Sequence, residues 1–317
     1  MSNKKVSLSK LTLGTVQLGL SYGIANKSGK PSQEKAFDML DTATSNGITS
    51  FDTAAFYGDS EVILGEYFSR NKEAGKDAQI TTKIRLDMPT GTPGSEIRDA
   101  VFKHVETGLE RLKMDKVRNI MLHSPADLFD HEDKLARALE QVKAQGLAEN
   151  IGVYSNYPKE TEKMLEYDLF TCIQMPFNIL DTRNIVNGML KRLHQKGIYV
   201  YTRSVFMQGL YFMDLDSLTG NLNEAKPFLK RLRQACEDNN MSMAELAFGY
   251  ARDMDEIDSL VVGADESAHI EQNIKLLNGP SLPREQKEAL FEYFKQVPEF
   301  LLFPRLWDTD PSKSGKK

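Results

Sequence analysis

Phe51-Asp52-Thr53-Ala54-Ala55-Phe56-Tyr57-Gly58 is the stretch on which the reading of this chain turns. It closes an apolar β-run that begins at Ile48, sets an aspartate at the end of that run, and places a tyrosine five positions later. Two later segments repeat the plan: Lys83 sits in Ile80-Thr81-Thr82-Lys83-Ile84 and His123 in Met121-Leu122-His123-Ser124-Pro125. Polar residues at the C-terminal ends of successive strands are where α/β barrels carry their chemistry. Asp52, Tyr57, Lys83 and His123 converge only if the strands that carry them are neighbours. Such a set suits proton donation. A tyrosine hydroxyl titrates near pH ~10 and is a poor acid at neutral pH. A neighbouring ammonium favours the phenolate, an aspartate keeps the ammonium charged and in place, and a histidine can orient a substrate carbonyl.

The rest of the chain supplies the strands. Short β-rich runs at 11–15, 48–52, 79–84, 117–122, 150–154, 170–175, 198–202 and 257–262 alternate with helix-patterned stretches near 32–46, 60–71, 95–113, 131–146, 158–166, 182–196, 242–253 and 266–278. Several of the β-runs are rich in Ile and Val without clear polar alternation, as parallel strands buried on both faces are. Ala136, Leu139, Ala144 and Leu147 illustrate the helical spacing, and Gly146 supplies a stop. Eight strand–helix units predict a closed (β/α)8 TIM barrel. No Pro/Gly/Ser-rich linker divides the chain, so residues 1–317 are expected to form one domain. Residues 204–241, with a helix around 223–239, and a helix at 283–298 followed by a tail with Trp307 lie outside the eight units. Long loops and tails of such a barrel gather at or near its mouth. Ser312 to Lys317 are expected to be disordered.

Composition narrows the function classes. A net charge of −5 argues against a nucleic-acid or anionic-membrane surface. Two cysteines, Cys172 and Cys236, cannot build a disulfide framework and are expected to be reduced. The basic N-terminus lacks the apolar core of a signal peptide, and no run reaches the ~18 apolar residues of a membrane span. The expectation is a cytoplasmic protein with a small-molecule substrate. His104, His131, His194 and His269 lie in helix-patterned segments with polar neighbours and are not candidate catalysts. No His/Cys/Asp/Glu cluster has metal-ligand spacing, and no Gly-x-Ser-x-Gly is present.

In this order the segments resemble the aldo-keto reductase family over nearly the whole chain. Leu13-Gly14-Thr15, the Asp52…Tyr57-Gly58 segment, the Lys83 strand, His123-Ser124-Pro125, Gln174 within Ile173-Gln174-Met175-Pro176 and the closing Val261-Val262-Gly263-Ala264-Asp265-Glu266…Gln272-Asn273 carry the likeness. No single piece is specific, but six in order are. The resemblance implies reversible reduction of an aldehyde, ketone or sugar carbonyl with NADP(H) or NAD(H). Tyr57 would be the general acid, Lys83 would lower its pKa, Asp52 would fix Lys83 and His123 would polarise the carbonyl. It also implies a dinucleotide extended across the barrel mouth without a Rossmann motif, and Gly-x-Gly-x-x-Gly is indeed missing here. Gly14, Thr15 and Val16 would meet the cofactor at the first strand and Gln174 its carboxamide. Ser204, Val205, Phe206, Gln208, Gly209 and Leu210 would wrap the pyrophosphate, with Gln272 and Asn273 on the adenine side.

Three positions depart from the family pattern. Arg203 stands where a tyrosine often stacks on the nicotinamide, and a guanidinium can also stack. Tyr154 lengthens the Gly-Val-Ser-Asn run, so the carboxamide contacts are either Ser155 and Asn156 or a shifted pair. Gly263 and His269 replace the cations that many members use for the adenosine 2′-phosphate, and Asp265 and Glu266 lie between them. A phosphate favours the helix start near 266, whereas those carboxylates oppose it, which points toward NAD(H). Phe56, Arg85 and Tyr154 are candidate pocket residues; Arg85 either meets an anionic substrate or is a solvated loop residue. Two other classes fit the barrel: a cofactor-binding regulatory subunit with little activity, and a sugar-phosphate isomerase or lyase needing no nicotinamide. The sequence carries no reading of oligomeric state.

Overall fold

A computed structural model describes residues 8–22 and 29–307. Its eight strands are β1 (Leu11–Gly14), β2 (Ser50–Asp52), β3 (Gln79–Ile84), β4 (Val117–Leu122), β5 (Ala148–Tyr154), β6 (Phe170–Pro176), β7 (Tyr199–Arg203) and β8 (Ser259–Gly263). All pair in parallel with their sequence neighbours, and β8 closes on β1 through Thr12↔Val261 and Gly14↔Gly263. The fold is the closed (β/α)8 barrel that the strand spacing predicts. Helices wrap it outside, the long ones burying one stripe: Gly94–Leu112 turns Ile97, Val101, Val105 and Leu112 inward at helical spacing.

The chain breaks two expected helices. The stretch predicted at 182–196 is Arg183–Val186 and Met189–Gln195, parted by Gly188 at φ +70°. The helix predicted from 131 starts at Ala126 and bends at Glu132, whose φ of 41° and ψ of −125° leave helical space. Residues 204–241 fold as three 3₁₀ turns before the helix Lys226–Asn239. After the helix Arg284–Phe294 the tail runs through two more 3₁₀ turns to Trp307. Aromatic and cationic side chains fasten it: the Phe303 ring lies 4.7 Å from that of Tyr157, the Arg183 guanidinium covers Phe303 at 4.7 Å, and Arg305 donates to the Tyr157 hydroxyl. Trp307 Nε1 donates to the Leu301 carbonyl at 3.0 Å. The expected disorder of 312–317 lies outside the described residues.

The barrel interior is polar low down. Thr12 Oγ1 lies 2.7 Å from both Ser50 Oγ and Ser259 Oγ, and Asn119 Nδ2 donates to Thr81 Oγ1 at 2.7 Å and to the Tyr201 hydroxyl at 2.9 Å. These buried hydroxyls and the Asn119 amide thus have partners, which burial demands. Met121, Cys172 and Tyr201 form a small cluster inside the barrel. Asp52 and Lys83 stand at the C-terminal ends of their strands, facing the mouth.

Candidate active site

Lys83, wholly buried, directs Nζ at three oxygens: Asp52 Oδ1 and Oδ2, each at 2.7 Å, and the Thr53 carbonyl at 3.0 Å. An ammonium has three N–H donors, and three acceptors satisfy it. Burying the pair without such saturation would cost several kcal/mol, about 3–5 for breaking a buried pair. Gln174, from the opposite wall, donates Nε2 to Asp52 Oδ1 at 2.7 Å and so ties β6 to the pair.

Tyr57 lies just above. Lys83 Nζ is 5.0 Å from the centre of its ring. The loop that carries Tyr57 is held by hydroxyls: Thr15 Oγ1 lies 2.7 Å and Thr53 Oγ1 2.9 Å from Ser60 Oγ, which itself donates to the Thr15 carbonyl. Backbone packing adds to this. A Cβ on Gly19 would fall 1.7 Å from the Tyr57 carbonyl oxygen, so only glycine permits the first helical turn to lie against this loop. Burial, and after it the Asp52 charge, push the Tyr57 hydroxyl well above its ordinary pKa. The expected acidification by Lys83 is therefore not the resting state. The ammonium charge is matched by Asp52, and Tyr57 holds its proton firmly.

His123 follows β4 within a column of flat groups. Its ring centre lies 4.3 Å from Phe56 and 4.8 Å from Tyr154, nearly parallel to the latter at 29°, and the Arg203 guanidinium covers the Tyr154 ring at 4.1 Å. Burial first, then Lys83, Arg203 and Arg85, lower the His123 pKa to about 4. At neutral pH the imidazole is uncharged and can still donate one N–H.

The positions that the resemblance assigns to a cofactor divide into two groups. Gly14 and Val16 are half-buried at the mouth, whereas the Thr15 side chain is spent on Ser60 and on the Asp52 carbonyl at 2.9 Å. Asn156 is half-buried, while Ser155 turns inward, its hydroxyl 3.1 Å from both the Tyr157 carbonyl and Thr161 Oγ1. The inserted Tyr154 takes the mouth-facing place at the end of β5 and leaves Ser155 to organise the next helix. Arg203 donates to Asn156 Oδ1 at 2.7 Å and to the Ser155 carbonyl at 3.2 Å, while its Nε is buried without a partner. Beyond it, Ser204, Gln208 and Gly209 share a loop of left-handed backbone, in which Val205 and Leu210 are buried anchors and Phe206 is half-buried. Gly263 ends β8 against Gln17, whose Nε2 would lie 2.5 Å from any Cβ there. His269 Nδ1 accepts from Asp265 N at 3.4 Å; Gln272 is exposed and Asn273 buried.

The donor set at the mouth suits a polar, amide-bearing ligand: the Asn156 and Gln174 amides, the unpartnered Arg203 Nε and the bare backbone of Gly14. Sequence reasoning overlooked Lys30 and Lys35. Lys30 comes from the connection after β1 and Lys35 from the first turn of the helix Gln33–Ser45, and both line a cavity of about 350 Å³ facing Asp265, Glu266 and Ser267. Only closure of β1 on β8 brings them there, and a linear sequence carries no sign of that. Glu61 was also overlooked: fully buried between β3 and the helix Gly94–Leu112, it accepts from Thr82 at 2.6 Å and from Arg111 at 3.3 Å. Among the described residues no group of His, Cys, Asp or Glu could hold a metal, and no helix is long and apolar enough to cross a membrane.

Comparison with known proteins follows the same lines. The model described as Aldo/keto reductase family matches residues 10–292. Over 306 residues the chain is 28% identical to the uncharacterized oxidoreductase YqkF of Bacillus subtilis, covering 90% of this chain and 97% of that one. It is also 28% identical over 306 residues to the L-glyceraldehyde 3-phosphate reductase of Escherichia coli K12, covering 85% and 86%. Among solved structures, the holo form of the aldo-keto reductase AKR11C1 from Bacillus halodurans superposes with a TM-score of 0.70 at 20% identity, over 92% of this chain and 94% of that one. The glycerol dehydrogenase AKR11B4 of Gluconobacter oxydans does so with a TM-score of 0.70 at 21% identity, over 92% and 93%. At such identities the structural likeness speaks for the fold alone.

Proposed function

The chain belongs to the aldo-keto reductase family, and from that membership we propose that it is a nicotinamide-dependent reductase of aldehyde, ketone or sugar carbonyls, working as one barrel domain with Tyr57 as proton donor. The observation that carries this reading is the saturated Lys83–Asp52 pair directly beneath the Tyr57 ring. When bound, the reduced nicotinamide supplies a hydride to the carbonyl carbon. Tyr57 gives its phenolic proton to the carbonyl oxygen as negative charge grows there. A proton held this tightly at rest passes only to a strong base such as the forming alkoxide. The Lys83 ammonium, desolvated and 5.0 Å from the centre of the ring, then offsets the charge of the tyrosinate left behind. His123, uncharged, donates an N–H to the same carbonyl oxygen and fixes its direction. The Phe56 and Tyr154 rings keep the imidazole in place and limit water at the reacting atoms. Tyr57 regains its proton from solvent at the mouth.

Gly14, Val16, Asn156, Gln174 and Arg203 would hold the nicotinamide end, and the Ser204–Leu210 loop the pyrophosphate. Gly263, His269, Gln272 and Asn273 border the adenosine end, where the mixed charges of Lys30, Lys35, Asp38, Asp265 and Glu266 support weak discrimination between NADP(H) and NAD(H). Replacing Tyr57 with Phe should lower kcat/KM by about 10²–10⁴ and leave cofactor affinity, read by equilibrium fluorescence titration, within about threefold of wild type. Turnover close to wild type would assign the proton to another group.

A further inference from the structure

Beside the barrel mouth, a cleft of about 580 Å³ opens between the loop after β2 and the helix Gly94–Leu112. Phe56, Arg85, Asp87, Lys103, His104 and Arg111 form its walls. Three permanent cations and a histidine thus face one carboxylate. Asp87 accepts from Arg85 Nε at 2.5 Å, and Arg111 is occupied by buried Glu61 and by the Ala55 carbonyl. Lys103 and His104 have no ion pair within the described residues, so the positive charge of the cleft is not neutralised from within. Concave walls of low dielectric focus such a field, whereas lysines on a convex surface lose theirs to water. The wall toward the mouth is the Phe56 ring, which lies 4.3 Å from the His123 ring and 5.5 Å from that of Tyr57. One aromatic ring therefore separates the cationic cleft from the atoms proposed to act on a carbonyl.

Building on the carbonyl-reductase reading, we propose that this cleft is a substrate subsite for an oxyanion, the phosphate or carboxylate of an aldehyde whose carbonyl lies at Tyr57 and His123. Lys103 and His104 bind the anion from the helix and Arg85 from the loop after β3. Phe56, 39% exposed, is the surface over which the short carbon chain passes.

The test compares erythrose 4-phosphate with erythrose, and succinic semialdehyde with butanal, so that phosphate and carboxylate are read separately. Wild-type enzyme should favour the anionic member of at least one pair in kcat/KM. Lys103→Ala should lower that ratio by about tenfold or more, the effect of losing one charge-assisted hydrogen bond, and Lys103→Arg should largely restore it. His104→Ala should lower it by a smaller factor. Ratios near one in wild type, or unchanged in Lys103→Ala, overturn the subsite and leave the reductase reading standing. If no aldehyde is reduced, the reductase reading falls instead, and calorimetric titration with glycerol 3-phosphate reads the cleft without turnover. Binding weakened about tenfold by Lys103→Ala supports the subsite, and absent or unaltered binding overturns it.

Discussion

At the scale of single residues, His123 shows surroundings setting protonation more firmly than residue type does. Its pKa falls from 6.5 to about 4 because burial and three nearby cations disfavour the imidazolium. Unfolded, the same residue takes up a proton near 6.5, so between 6.5 and about 4 the unfolded chain binds more protons than the folded one. Stability therefore rises with pH across that window and loses this contribution as pH falls through it. Urea denaturation at several pH values should show a shallower slope there in His123→Asn than in wild type; an unchanged slope would mean that His123 titrates normally when folded. Asp52, Tyr57, Lys83 and His123 were all legible as candidates, because each is a polar group where an apolar β-run stops. The direction of the Tyr57 shift was not. It follows from burial of the hydroxyl and, after that, from the nearness of the Asp52 charge, matters of ångströms that residue spacing does not encode. The inward turn of the Ser155 hydroxyl was hidden for a related reason: the inserted Tyr154 takes the mouth-facing place and leaves its neighbour against Tyr157 and Thr161.

At the scale of elements, strands were easier to find than breaks in helices. Runs such as Val117–Leu122 and Gln79–Ile84 announce themselves by β-branched content and keep their predicted bounds. Gly188, in the left-handed backbone that glycine favours, and Glu132, outside helical space, interrupt helices that the sequence pattern does not mark as broken. Contacts between elements carry consequences of their own. Gly19 brings the turn Val16–Gly19 against the Tyr57 loop, with no room for a methyl group. Helix propensity alone would make Gly19→Ala favourable by about 1 kcal/mol, but the 1.7 Å approach to a backbone oxygen decides the sign. The loop must shift, and a displacement on the order of 1 Å at a reacting group can cost about 100-fold in rate. Steady-state kinetics of Gly19→Ala should show that loss chiefly in kcat. Gly65→Ala makes the control: its Cβ would fall 2.2 Å from the Arg111 carbonyl, so its main effect should be a lower Tm.

At the scale of the whole molecule, closing β8 on β1 unites residues from opposite ends of the chain. The order of motifs made the barrel legible, yet it could not reveal which lysines would face Asp265 and Glu266 across the closure. Lys30 is already paired with Asp59, which leaves Lys35 opposite two carboxylates. A 2′-phosphate contact is worth about 1.5–3 kcal/mol per charged hydrogen bond, so one uncertain cation cannot enforce strict selection. Measured kcat/KM should therefore be appreciable with NADH, and a preference for NADPH of about a thousandfold would show that Lys30 and Lys35 together replace the cations missing at Gly263 and His269. The tail is the last part of the molecule to be fastened, and its fastening has an optical side. Trp307 is the sole tryptophan of the chain, with its indole N–H held by the Leu301 carbonyl. Indole emission from this protein consequently originates at one spot, the seam between tail and barrel. Its colour and lifetime form a built-in, dye-free gauge of whether that seam is shut.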